Sequence, residues 1–113
     1  MIPGIQASLA ALFTFGNKLA SSAQNIANVN TDGYKKRIGR ISEGSRGLPE
    51  LTEAISGTPG SFIPESDRIR ETSNVDLAEE IPQMMIAKRG YEANLKAFKV
   101  QDEIAKATLD ILV

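Results

Sequence analysis

Apolar residues recur along the first quarter of the chain at alternating steps of three and four: Ile2, Ile5, Leu9, Leu12, Gly16, Leu19, Ala23 and Ile26. That heptad spacing predicts a helix from about Pro3 to Asn28, roughly 39 Å long at 1.5 Å per residue, packed along its length against another helix. Pro3 suits an early helical position, where its missing N–H is no loss. The remaining surface is unusual, because Lys18 is the only charge between Met1 and Thr31. Its polar positions are Gln6, Ser8, Thr14, Asn17, Ser21, Ser22, Gln24 and Asn25, small neutral groups that neighbours can cover without stranding a charge. Burial on more than one side is expected.

The C-terminal third repeats the pattern more strongly. Leu77, Ile81, Met84, Lys88, Tyr91, Leu95, Phe98, Asp102, Ala105, Leu109 and Leu112 form one stripe. Ile86, Ala93, Ala97, Val100, Ile104, Ala107 and Ile111 form a second, displaced by two residues and so nearly opposite on a helix. One partner helix cannot cover both. Asp76 and Glu79 read as a capping box, and Asp76, Glu79 and Glu80 complement the positive helix N-terminus. Glu92 with Lys96, and Asp102 with Lys106, have favourable i,i+4 order. Pro82 should remove a backbone bond and kink the start, and Gly90 should cost about 1 kcal/mol relative to alanine.

Between these segments, residues 34–75 hold five glycines, three prolines and six serines without sustained period. A short helix is expected at Pro49, with Leu48, Leu51 and Ile55 on one side and Gly57 closing it; the rest reads as irregular or briefly extended. The expected fold is all-α: terminal helices paired as an antiparallel coiled coil, joined by a long irregular connector with room for a short helix or strands. Its divisions are 1–30, an N-terminal axial helix; 31–75, a turn motif and connector; and 76–113, a C-terminal axial helix.

Composition narrows the chemistry. The net charge of −1, from 13 basic and 14 acidic side chains, points to neither nucleic acid nor an acidic membrane surface. With no cysteine and no histidine, thiolate sites and the usual general base are excluded, so no catalytic residue, metal or cofactor is expected. No stretch approaches the roughly 20 apolar residues of a membrane span, and no cleaved secretory signal is visible. Lys35, Lys36, Arg37, Arg40 and Arg46 make too dilute a footprint for nucleic acid. Asp76, Glu79 and Glu80 fit helix-end charge better than a metal site, and Met84 and Met85 with Tyr91 and Phe98 read as interface.

The stretch NIANVNTDGYKK, Asn25 to Lys36, ends the first heptad run. Asn28 or Asn30 could close the helix in the left-handed conformation, Thr31 and Asp32 could bond nearby amides, and Gly33 could take positive φ. Tyr34 would pack back on the helix end, while Lys35, Lys36 and Arg37 stay in water. This stretch resembles the N-terminal motif of the bacterial flagellar axial proteins, the rod, hook and hook-associated proteins. SNVDLAEEIPQMMIAKRGYEANLKAFKVQDEIAKATLDIL, Ser73 to Leu112, closely resembles their C-terminal motif.

The resemblance implies a non-enzymatic structural subunit of the basal-body rod or a related axial segment. It further implies helical stacking around a channel and type III export without cleavage. The short connector fits a proximal rod protein by size; Pro82 and Asp32 depart from the family pattern. Expected partners are copies of the chain, other axial proteins and the export apparatus, with location in the periplasmic rod. The alternative is a stand-alone coiled-coil adaptor or export-related binding module. Helix pairing is expected through Ile5, Leu9, Leu12, Leu19, Ile26, Leu77, Ile81, Met84, Tyr91, Leu95, Phe98, Leu109 and Leu112. The second seam, toward neighbouring subunits, is Ile86, Ala93, Ala97, Val100, Ile104 and Ile111. Asn25, Asn28, Asn30, Thr31, Asp32, Gly33 and Tyr34 make the turn.

Overall fold

In the computed structural model, which describes residues 2–113, both heptad segments are helical: α1 spans Ile2–Ala27 and α2 spans Leu77–Leu112. Met1, and the side chain of Ile2 that begins the first stripe, lie outside the described residues. The helices run antiparallel. Gly4 abuts Gln101, Phe15 abuts Gly90, Gly16 abuts Tyr91, and Asn25 bonds to Glu80. With 36 residues against 26, α2 continues past its partner, and its final turns have no helix beside them. The whole measures 78 × 25 × 16 Å.

Asp76 caps α2, its side chain accepting from the Ala78 amide at 2.9 Å. The other half of the expected box is absent, because Glu79 turns to the Lys36 ammonium at 2.7 Å. The helix runs through Pro82, whose exposed position lets water serve the carbonyl that the ring cannot reach. Lys106 pairs with Asp102 at 2.7 Å, and that carboxylate holds the ammonium pKa above its usual value. Glu92 lies 4.0 Å from Lys88 instead of meeting Lys96. At the end of α1, no non-glycine residue among those described takes positive φ, which overturns left-handed closure by Asn28 or Asn30. Asn28 is tied to the last turn differently: its backbone amide and its Nδ2 both donate to the Gln24 carbonyl, at 3.2 and 2.9 Å.

The connector overturns the all-α expectation. It contains four antiparallel strands in two small sheets, so the fold is mixed α/β. β1 (Arg37–Glu43) pairs with β2 (Pro49–Ile55), and β3 (Phe62–Pro64) pairs with β4 (Ile69–Glu71). The helix expected at Pro49 is β2. Proline is tolerated there because it begins a strand, and Leu51 and Ile55 share one face at a period of two. Gly47, with φ of 71°, shapes the β1–β2 turn, where the Gly44 amide donates to the Leu48 carbonyl at 2.8 Å.

The β1–β2 hairpin lies along α1. Thr14 Oγ1 donates to the Pro49 carbonyl at 3.0 Å, and the Lys18 ammonium donates to the Gly39 carbonyl. The buried side chains are small and polar: Ser8, Thr14, Ser21, Ser22 and Asn25 on α1, with Glu80 on α2. Ala11 and Ala87 are the only buried apolar residues among those described. Cores ordinarily use Leu, Ile, Val and Phe, each contributing about 1.5–3 kcal/mol on burial; here hydrophobic stabilisation within one chain is slight.

Candidate assembly interface

Two sets of side chains concentrate the chemistry of this chain: a buried polar junction at the α1 exit and an exposed apolar stripe on α2. The junction centres on Asn25, which is 1% exposed. The heptad phase of α1 turns its side chain toward α2, and the following turn brings β1 back beneath it. Its Nδ2 donates to the Arg37 carbonyl at 2.8 Å and to Glu80 Oε1 at 3.1 Å. Its Oδ1 accepts from the Arg37 amide at 2.9 Å and from the Tyr34 hydroxyl at 3.0 Å. Four bonds saturate the amide, and one side chain joins α1, the turn, β1 and α2.

The rest of the turn is tied outward. Gly33 has φ of 70°, and its amide donates to the Glu71 carbonyl at 3.0 Å. Thr31 Oγ1 donates to Asn28 Oδ1 at 3.0 Å, Asp32 accepts from Arg70 at 3.2 Å, and Asn30 stays exposed. The three cations expected in water are engaged: Lys35 with Glu71, Lys36 with Glu79, and Arg37 with Glu53. The Lys35 bond, then the Gly60 amide, hold the Glu71 carboxyl below the usual carboxylate range. Tyr34 does turn back on the helix end, through its hydroxyl.

Of the pairing residues expected on α1, Ile5, Leu12, Leu19 and Ile26 are half-buried and Leu9 is exposed. Gly4, Ser8, Phe15, Gly16 and Asn25 of α1 also touch α2. On α2, Met84, Leu95 and Phe98 are half-buried, whereas Leu77, Ile81, Tyr91, Leu109 and Leu112 are exposed. Glu80 and Phe15 escaped sequence reasoning, Glu80 because it reads as an ordinary first-turn acid.

The second stripe has no cover within the chain. Ile86, Ala93, Ala97, Val100, Ile104 and Ile111 are all exposed, Ile86 at 62% and Ile111 at 84%. Leu109 and Leu112 extend this surface around the overhanging end of α2. Contiguous apolar surface of this kind marks contact with another macromolecule.

The sequence is similar to known flagellar proteins. Residues 69–111 match the family described as flagellar basal body rod FlgEFG protein C-terminal. The chain is 28% identical over 104 residues to the flagellar hook protein FlgE of Escherichia coli (strain K12), covering 85% of this chain and 25% of that protein. It is 29% identical over 102 residues to the hook protein FlgE of Helicobacter pylori (strain ATCC 700392 / 26695), covering 88% and 14%. Against the Salmonella typhimurium hook protein FlgE, identity is 37% over 60 residues, covering 51% and 15%. The aligned region thus spans a quarter or less of each of these hook proteins. By sequence, the chain is similar to the flagellar axial proteins of rod and hook.

Proposed function

We propose that the chain is a non-enzymatic structural subunit of the flagellar axis, most simply a proximal rod component, which polymerises through its two helices. The observation carrying this reading is the exposed α2 stripe from Ile86 to Ile111, apolar along its length and unpartnered in one chain. A neighbouring copy or a related axial protein covers it, and torque passes through the shared seams. The N-terminal axial helix (1–30), connector (31–75) and C-terminal axial helix (76–113) divide the work: the helices build the axis and the hairpins face outward. The short stretch between the helices favours rod over hook, and delivery to the basal body uses the flagellar export apparatus.

Val100→Asp with Ile104→Asp tests the reading, since both residues are exposed and their change spares the single-chain fold. The expected result is unchanged helicity by circular dichroism with loss of large assemblies by sedimentation and electron microscopy. Assembly as in the wild type would refute it. A wild-type chain that stops at a small closed oligomer would favour the adaptor reading.

A further inference from the structure

We propose that Phe15, seated on Gly90, sets the register in which α1 and α2 align. Two contacts nearer the start of α1 run through small or flexible groups: Gly4 meets the side chain of Gln101, and Ser8 Oγ donates to Gln101 Oε1 at 3.1 Å. Such groups yield easily and do little to distinguish one alignment from the next. Phe15 is different. A Cβ placed on Gly90 would lie 2.5 Å from Cε1 and 2.7 Å from both Cδ1 and Cζ of the Phe15 ring. Carbon atoms in contact sit about 3.5–4.0 Å apart, so the ring occupies the space that any other residue would fill.

Gly90 is the only glycine in α2. A slip of one heptad would set the ring over Gln83 or Ala97, and both carry a Cβ. One position on α2 accepts the ring, and that position fixes the alignment. Tyr91 against Gly16 looks reciprocal but is not equivalent. A Cβ on Gly16 would lie 3.8 Å from the Tyr91 ring, an ordinary contact. Asn25 with Glu80 agrees with the same register at the far end, where it also anchors β1. The inference rests on contacts within one chain and stands apart from the polymer reading.

The absence of native cysteine makes disulfide trapping clean in the full chain. Gly4→Cys with Gln101→Cys reports the observed register, in which the two positions meet; Gly4→Cys with Asn94→Cys reports the one-heptad slip that would set Phe15 over Gln83. In the otherwise wild-type chain and in Gly16→Ala, the 4–101 pair should cross-link at least tenfold faster than the 4–94 pair. Gly90→Ala should erase that preference, although both substitutions exchange glycine for a better helix former. Equal behaviour of the two alanine variants would overturn the proposal. If Gly90→Ala does not fold, Phe15→Ala decides: the two pairs should then cross-link within about threefold of each other, and a retained tenfold preference would overturn it.

Discussion

Replacing Asn25 with leucine tests how much of the single-chain fold depends on one amide. The substitution keeps comparable bulk but removes both donors and both acceptors, at a side chain 1% exposed. The Arg37 amide and carbonyl, the Tyr34 hydroxyl and Glu80 Oε1 all lose a partner, at 2.9, 2.8, 3.0 and 3.1 Å. A buried group left unsatisfied costs about 1–3 kcal/mol. The Tyr34 hydroxyl can rotate toward water and the Arg37 groups are only part-buried, so the sum is discounted to about 3–4 kcal/mol. That is a large share of the roughly 5–15 kcal/mol that stabilises a small domain, and this chain has few buried apolar groups to compensate.

The assay is urea unfolding followed by circular dichroism, with hydrogen exchange at the Arg37 amide as a local probe. The midpoint should fall steeply, and the Arg37 amide should lose protection before the middle of α2 does. A destabilisation below about 1 kcal/mol, with Arg37 still protected, would refute the view that this amide holds β1 to both helices.

Two further outcomes follow. Gly33→Ala should destabilise by about 1–2 kcal/mol in thermal unfolding, because φ of 70° strains any L side chain while the space around the added Cβ is open; a small-to-large swap losing nothing would show the turn relaxing to negative φ. The pH dependence of Glu71 has a definite sign. Its folded pKa lies below the unfolded value, so its stabilisation is complete above the ordinary carboxylate range and fades as pH falls through the lowered folded value. Melting temperatures of Glu71→Gln and the wild type should therefore differ near neutrality and converge in acid, and equal melting temperatures near neutrality would contradict the ion pair with Lys35.

The helices were legible because α2 carries a capping aspartate and heptads that continue past Gly90, and because α1 lacks any interrupting charge but Lys18. The strands were not. β1 and β2 are both edges of a two-stranded sheet, and nearly all their side chains are exposed, so no alternation marks an inner face. Pro49 fits a strand start as well as a helix start. The pairing line of α1 was hidden for a different reason. Large apolar residues in the heptad pattern read as the inward side, whereas the most deeply buried side chains of α1 are the small Ser8, Ala11, Thr14, Ser21 and Ser22 together with Asn25. Gly90 read as a local cost, since its offsetting contact with Phe15 comes from the other end of the chain. Asn25 reads as part of a turn; that it also reaches Glu80, 55 residues away, is visible only in three dimensions.

In its thinnest direction the chain spans 16 Å, little more than two helices packed with their axes about 8–10 Å apart require. Almost every residue therefore sits one layer from the outside. Changes on the outward sides of the helices will pass unnoticed in tests of the isolated chain's solubility or melting. They will register only when other molecules crowd against it. For this chain, tolerance measured on the lone protein and tolerance measured in the cell describe different surfaces.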